Sequence, residues 1–229
     1  MSSQKESTNI IDNVNRSAAS RLFNNKKIYR LTAAGIFAAI VVVLQCTLGL
    51  IVIPGTTVNL NFVLIPIVIA GIIYGPFVGS VAGLAFGVTV FIQCLTGTQA
   101  FGALLLGINW FYCFVLCVIR GLLIGLVPAY IWKWCSGIRN NYVRALVPSI
   151  AAPVLNTGLF LLGYAVFFNA HMHSLMDETG AGMFYLLFIM LAGFNFIFEL
   201  ATSVVLIPPT AAALLKSLEK RQLEKRQNK

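Results

Sequence analysis

Charge is what this chain has least of. Only 10% of its 229 residues are Asp, Glu, Lys or Arg, acidic residues number seven and histidines two. A water-soluble domain, in which roughly a quarter of residues are charged, is excluded by that scarcity. Few acids and histidines also leave little material for acid–base or metal chemistry. No HExxH, GxSxG or spaced carboxylate pair occurs, and Ser, His and Asp do not converge in any apolar run. His171 and His173 flank Met172 in a polar stretch and read as exposed polar residues. There is no Walker A sequence, so the chain cannot itself use ATP. A basic, aromatic-interleaved soluble module is missing as well, which removes a nucleic-acid partner. Catalysis, a resident cofactor and a metal are therefore not expected.

Disulfides are not expected either. Cys46, Cys94, Cys113, Cys117 and Cys135 are odd in number, lie in or at the edges of apolar runs, and read as small apolar residues. Cys113 and Cys117 share a helix face, but two thiols without a neighbouring His or carboxylate make a poor metal site.

What the chain does have is hydrophobic length. At 59% hydrophobic residues it carries six long apolar runs between residues 29 and 216. Runs of about 17 to 25 apolar residues cross a hydrocarbon core of roughly 30 Å as helices. Fifteen of the sixteen Lys and Arg residues fall ahead of the first run, between the fourth and fifth, or after the sixth. These three places lie on one side of a six-crossing chain, and the positive-inside rule makes that side the cytoplasm. The expected fold is an all-α integral membrane protein of the cell membrane, a six-helix bundle with both termini cytoplasmic. Residues 1–28 form a basic cytoplasmic segment without a removable signal peptide, 29–216 the membrane domain, and 217–229 a basic tail. The net charge of +9 lies beside the runs, where anionic lipid headgroups attract it.

The expected spans are about Tyr29–Ile53, Asn59–Tyr74, Phe77–Leu95, Ala103–Lys133, Ala145–Asn169 and Gly182–Leu215. Thr96–Gly102 and Ala170–Ala181 read as external loops. Gly75-Pro76 leaves room only for a hairpin between spans two and three. Gly71, Gly75, Gly79, Gly83 and Gly87 recur every four residues there, a pattern for tight helix packing. On span one, Ala34 with Ala38 and Gly35 with Ala39 form two overlapping small-residue pairs of the same kind. Trp132, Trp134 and Tyr142 suit a headgroup belt.

Two charges lie deep. Arg120 is thirteen residues from Lys133, about 20 Å along a helix, and Glu199 is seventeen from Lys216. A charge at mid-bilayer costs at least ~2.5 kcal/mol and faces the bundle interior. Either the two pair with each other, or at least one meets a solute; the two readings are compatible. Asn59, Asn61, Gln93, Asn109, Asn156 and Asn195 add amides from other spans, and Trp110 and Tyr164 add apolar faces with polar tips. Together they resemble the wall of an outward-opening pocket.

The small-residue segment LTAAGIFAAI, the stretch NFVLIPIVIAGIIYGPFVGSVAGLAFG, the NTGLFLLG of span five and the FNFIFEL of span six together resemble the substrate-binding S component of energy-coupling factor (ECF) transporters. The resemblance implies a six-helix subunit that binds a vitamin or metal ion from outside and associates with a membrane coupling protein and two ATPases. It implies that Ala34 and Ala38, or Gly35 and Ala39, face the coupling protein. It also places the solute near Asn109, Trp110, Asn156, Asn195 and Glu199. The amino terminus MSSQKE lacks the Met-His segment of the metal-binding members, and FIQCLTGTQAFG lacks the acidic residue of the flavin and folate types. One deep Arg with several amides suits a small hydroxylated monoanion such as pantothenate. Riboflavin, folate or a cobalamin precursor, and a free-standing secondary carrier using Arg120 and Glu199 as a proton relay, are the alternatives.

Overall fold

The computed structural model describes residues 27–47, 62–180, 182–183 and 193–227. Asn59, Asn61, the turn at 54–58 and nearly all of the amino-terminal segment lie outside these residues. The described chain is helical: α1 Lys27–Thr47, α2 Leu64–Tyr74, α3 Pro76–Leu95, α4 Ala100–Ile108, α5 Trp110–Trp134, α6 Asn141–Phe167, α7 Asn169–Thr179 and α8 Gly193–Gln227. Five are long and apolar enough to cross a membrane: α1, α3, α5, α6 and α8. With 11 residues, α2 is a shorter apolar helix, about 16 Å long at 1.5 Å per residue.

α2 and α3 are joined without a loop. Gly75 has φ 95° and ψ 177°, a conformation that a side chain would oppose, and Pro76 opens α3, where its fixed φ suits a first helical turn.

The α3–α5 contact is the closest in the bundle. A Cβ at Gly79 would lie 2.5 Å from the Gly125 carbonyl oxygen, and one at Gly87 2.6 Å from that of Cys117. At Gly83 it would strike the Gly121 carbonyl oxygen. Gly121 and Gly125 answer from α5 in the same way, pressed on the backbone of Gly83, Gly87 and Gly79. The glycine repeat thus does what its spacing predicts, and its partner is a second glycine pair on α5. Without a hydrophobic drive between helices in lipid, such close approach supplies the dispersion contact that holds them.

Two expected elements come out differently. The expected fourth span is broken at Asn109, whose extended backbone (φ −156°, ψ 107°) ends α4 and starts α5. Its side-chain oxygen accepts from the Phe111 and Tyr112 amides at 3.1 and 3.2 Å, a helix N-cap. The apolar run continues across the break, so hydropathy alone merges the two helices. The expected loop at 170–181 is largely the helix α7, closed by Gly180 at φ 64°. Phe168, Met172 and Met176, one turn apart, pack on the core while His173, Ser174, Asp177 and Glu178 are exposed. Only amphipathic periodicity marks such a helix.

The interior divides into two clusters. The larger joins α1 through α7; the smaller, of Val68, Ile69, Ile72, Trp132, Ala145, Ala152, Ile207 and Ala211, lies toward the cation-bearing connection between α5 and α6. There Arg144 donates from Nε and a terminal nitrogen to the Trp132 carbonyl at 3.0 and 2.7 Å and lies 3.9 Å above the Trp132 ring. Trp132 is buried by this clamp, whereas Trp134 is exposed as a headgroup-belt residue would be.

Replacing Gly83 by Ala should destabilise the protein, because the facing atoms are backbone and cannot swing away. Overpacking of this kind costs about 1–3 kcal/mol, a fall of roughly 3–10 °C in a melt of the detergent-purified chain. Gly35→Ala, with nothing within 4 Å, should leave the melt unchanged; equal melts for both variants would contradict the packing described.

Candidate functional site

With α3 and α5 fixed against each other, Arg120 is delivered into the bundle beside α6. Its guanidinium lies 5.8 Å from the Phe86 ring centroid and 5.3 Å from that of Phe160. Such cation–π contacts are worth about 0.5–2 kcal/mol, more when desolvated. Its Nε is buried and has no hydrogen-bond partner. Arg120 also lines an apolar cleft of about 240 Å³ between α5 and α6, with Val115, Ile119, Leu159, Gly163 and Phe167 among its walls. Gly163 keeps that cleft open, since a Cβ there would press on Leu116.

From Phe160 the rings continue toward the C-terminal end of α6 one turn at a time. Phe160 stacks on Tyr164 at 6.5 Å and Tyr164 on Phe168 at 6.2 Å, while Phe101 of α4 meets Phe160 and Tyr164 at 6.0 and 5.6 Å. The Tyr164 hydroxyl is hydrogen-bonded to His171 Nδ1 at 2.9 Å, tying α7 onto this wall.

One turn the other way from Phe160 stands Asn156. Its Nδ2 donates to Glu199 Oε2 at 2.8 Å, joining α6 to α8 at a carboxylate that is 0% exposed. The Oδ1 atoms of Asn156 and of Asn195, one turn from Glu199, are buried without partners. An unmet buried polar atom costs about 1–3 kcal/mol, and both oxygens are open acceptors. Arg120 meets the aromatic faces of Phe86 and Phe160, and Glu199 accepts from Asn156. Both stand next to α6 residues one turn apart.

A second polar contact links α1 to α3. Gln45 Nε2 donates to Gln93 Oε1 at 2.8 Å, Gln93 Nε2 donates to the Gln45 carbonyl at 3.1 Å, and Gln45 Oε1 is buried without a partner. Gln45 was missed from the sequence, although an amide inside VVVLQCTLG carried the same signal as Gln93.

The family model described as ECF transporter, substrate-specific component, matches residues 29–211. The chain belongs to the substrate-specific components of ECF transporters. No curated protein matches it.

In this S component the structure gathers Arg120, Asn156, Tyr164, Asn195 and Glu199 along α5, α6 and α8, with Phe86, Phe101 and Phe160 supplying apolar faces that sequence reasoning did not select. Asn109, expected as a wall residue, caps α5 with its side-chain oxygen. Trp110, 66% exposed, lies away from the cluster. On α1 the two small-residue registers separate: Ala34 is buried in the core while Gly35 and Ala39 are exposed. One further group could hold a metal among the described residues, the three buried thiols of Cys94, Cys113 and Cys117.

Asn156→Ala should lower the stability of the S component by about 1–3 kcal/mol, because it removes the donor to a buried carboxylate oxygen. A melt of the purified variant within one degree of wild type would show that the Asn156–Glu199 bond is not made.

Proposed function

We propose that this S component captures pantothenate, or a vitamin of the same hydroxylated-carboxylate type, from outside the cell. It then hands the solute inward in complex with the ECF coupling protein and two ATPases. The reading rests on one observation: a guanidinium with an unmet N–H lies against Phe160, one turn along α6 from Asn156, and the amide oxygens of Asn156 and Asn195 are buried without donors. A carboxylate would satisfy Arg120, and hydroxyl and amide N–H groups would satisfy Asn156 and Asn195, leaving the aliphatic part of the solute against Phe86, Phe101 and Phe160. A cationic solute fits poorly beside Arg120.

The expected second span, Asn59–Tyr74, begins outside the described residues and would make the sixth crossing, and the placement of the cations supports cytoplasmic termini. The coupling protein docks on the exposed Gly35–Ala39 register of α1, flanked by the exposed Ile36, Ile40 and Val43, since small residues let a second helix approach closely.

Native mass spectrometry of the detergent-purified chain should release one bound solute, and calorimetry should show Arg120→Ala binding pantothenate roughly 10- to 100-fold more weakly, the range of a lost charge-assisted hydrogen bond. Unchanged affinity would make Arg120 purely structural. Gly35→Leu with Ala39→Leu should abolish ATP-driven uptake in proteoliposomes containing the whole complex yet keep solute affinity within twofold. Uptake at the wild-type rate would remove this face as the docking surface.

A further inference from the structure

The three thiols beneath α4 form a cluster that neither the family nor the solute reading uses. Cys94 stands at the outer end of α3, Cys113 and Cys117 one turn apart at the start of α5, and the three Sγ atoms lie within 4.8 Å of one another. All three side chains are buried. The sequence offered only the Cys113–Cys117 pair; the glycine contact of α3 with α5 brings in the third sulfur from 19 residues away.

A roof closes the group. The Gly102 carbonyl of α4 lies 3.8 Å from Cys113 Sγ, and a Cβ on Gly102 would strike Cys94 Sγ. Among the described residues no His, Asp or Glu belongs to the group. Cysteines used merely as small apolar residues have no reason to converge from two helices. Three sulfurs around a metal at a bond length of about 2.3 Å stand roughly 4 Å apart, which small rotamer shifts would reach from the observed spacing.

We propose that Cys94, Cys113 and Cys117 form a binding site for one soft, thiophilic metal ion, with Cu(I) as the ion it fits. An all-sulfur donor set selects soft ions. Structural Zn(II) needs four ligands, for which only the Gly102 oxygen is at hand, and an iron–sulfur cluster needs four cysteines. A monovalent ion satisfied by three sulfurs needs no fourth partner in this apolar setting. Binding releases the thiol protons as three S–H groups become metal–sulfur bonds, no group is oxidised or reduced, and of the two net negative charges on the Cu(I) trithiolate the Arg120 guanidinium offsets one. The bound ion ties α3 to α5 under α4. Cys117 is three residues ahead of Arg120, so the ion stiffens the wall on which the deep guanidinium is mounted.

The test is a Cu(I) titration of the reduced, detergent-purified full-length chain under anaerobic conditions, in competition with a chromogenic Cu(I) chelator. Wild type, Cys46→Ser and Cys135→Ser should each withhold one copper per chain, whereas Cys94→Ala and Cys117→Ala should withhold at least tenfold less. Because these two variants could fail by misfolding, X-ray absorption on copper-loaded wild type supplies the second measurement and should read three sulfur neighbours. A Zn(II) competition should leave the chain copper-loaded. The proposal is overturned if wild type fails to compete with the chelator, if Cys94→Ala binds as wild type does, if the copper has nitrogen or oxygen neighbours or fewer than three sulfurs, or if Zn(II) displaces it.

Discussion

Two helix backbones in direct contact organise everything else in this protein. Along α3 and α5 the side chains are reduced to hydrogen at Gly79, Gly83 and Gly87 on one helix and Gly121 and Gly125 on the other, and carbonyl oxygens meet α-carbons across the gap. A membrane interior gives apolar helices no hydrophobic reason to associate, so shape must supply the attraction. That shape fixes rotation as well as distance. Once Gly121 and Gly125 face α3, Cys113 and Cys117 also reach the α3 side, and Arg120 is turned to the seam between Phe86 of α3 and Phe160 of α6.

The polar groups sit where this scaffold leaves them partly served. Glu199 holds Asn156, and Gln45 holds Gln93 in a two-point amide contact. In each case one amide oxygen remains unmet. A purely structural network in an apolar interior would close on itself, because every open valence is costly where no water competes. The aromatic file from Phe160 through Tyr164 to Phe168 gives that polar base an apolar flank, and the Tyr164–His171 bond anchors α7 against it.

The helical class, the membrane location and the depth of Arg120 and Glu199 were legible in the sequence because they depend on hydropathy and distance along the chain. The glycine repeat was legible too, since a period of four survives in one dimension. Its partner was not: Gly121 and Gly125 look ordinary inside RGLLIGL until α3 lies against them. The break at Asn109 was hidden by the unbroken apolarity of LLLGINWFY, and α7 by its polarity, which resembles a loop unless Phe168, Met172 and Met176 are counted together. Partners across helices, such as Gln45 for Gln93 or Phe86 and Phe160 for Arg120, are set by rotation about helix axes, which no single span records.

The hairpin at Gly75 bears on how the chain enters the membrane. The described α2, 11 residues long, passes into α3 through one glycine, and the segment from Leu64 to Leu95 contains no Lys or Arg. It therefore offers the translocation machinery no topogenic signal of its own. Under the positive-inside rule its sidedness has to be read from cations elsewhere in the chain, of which Lys27 and Arg30 at the foot of α1 are the nearest before it.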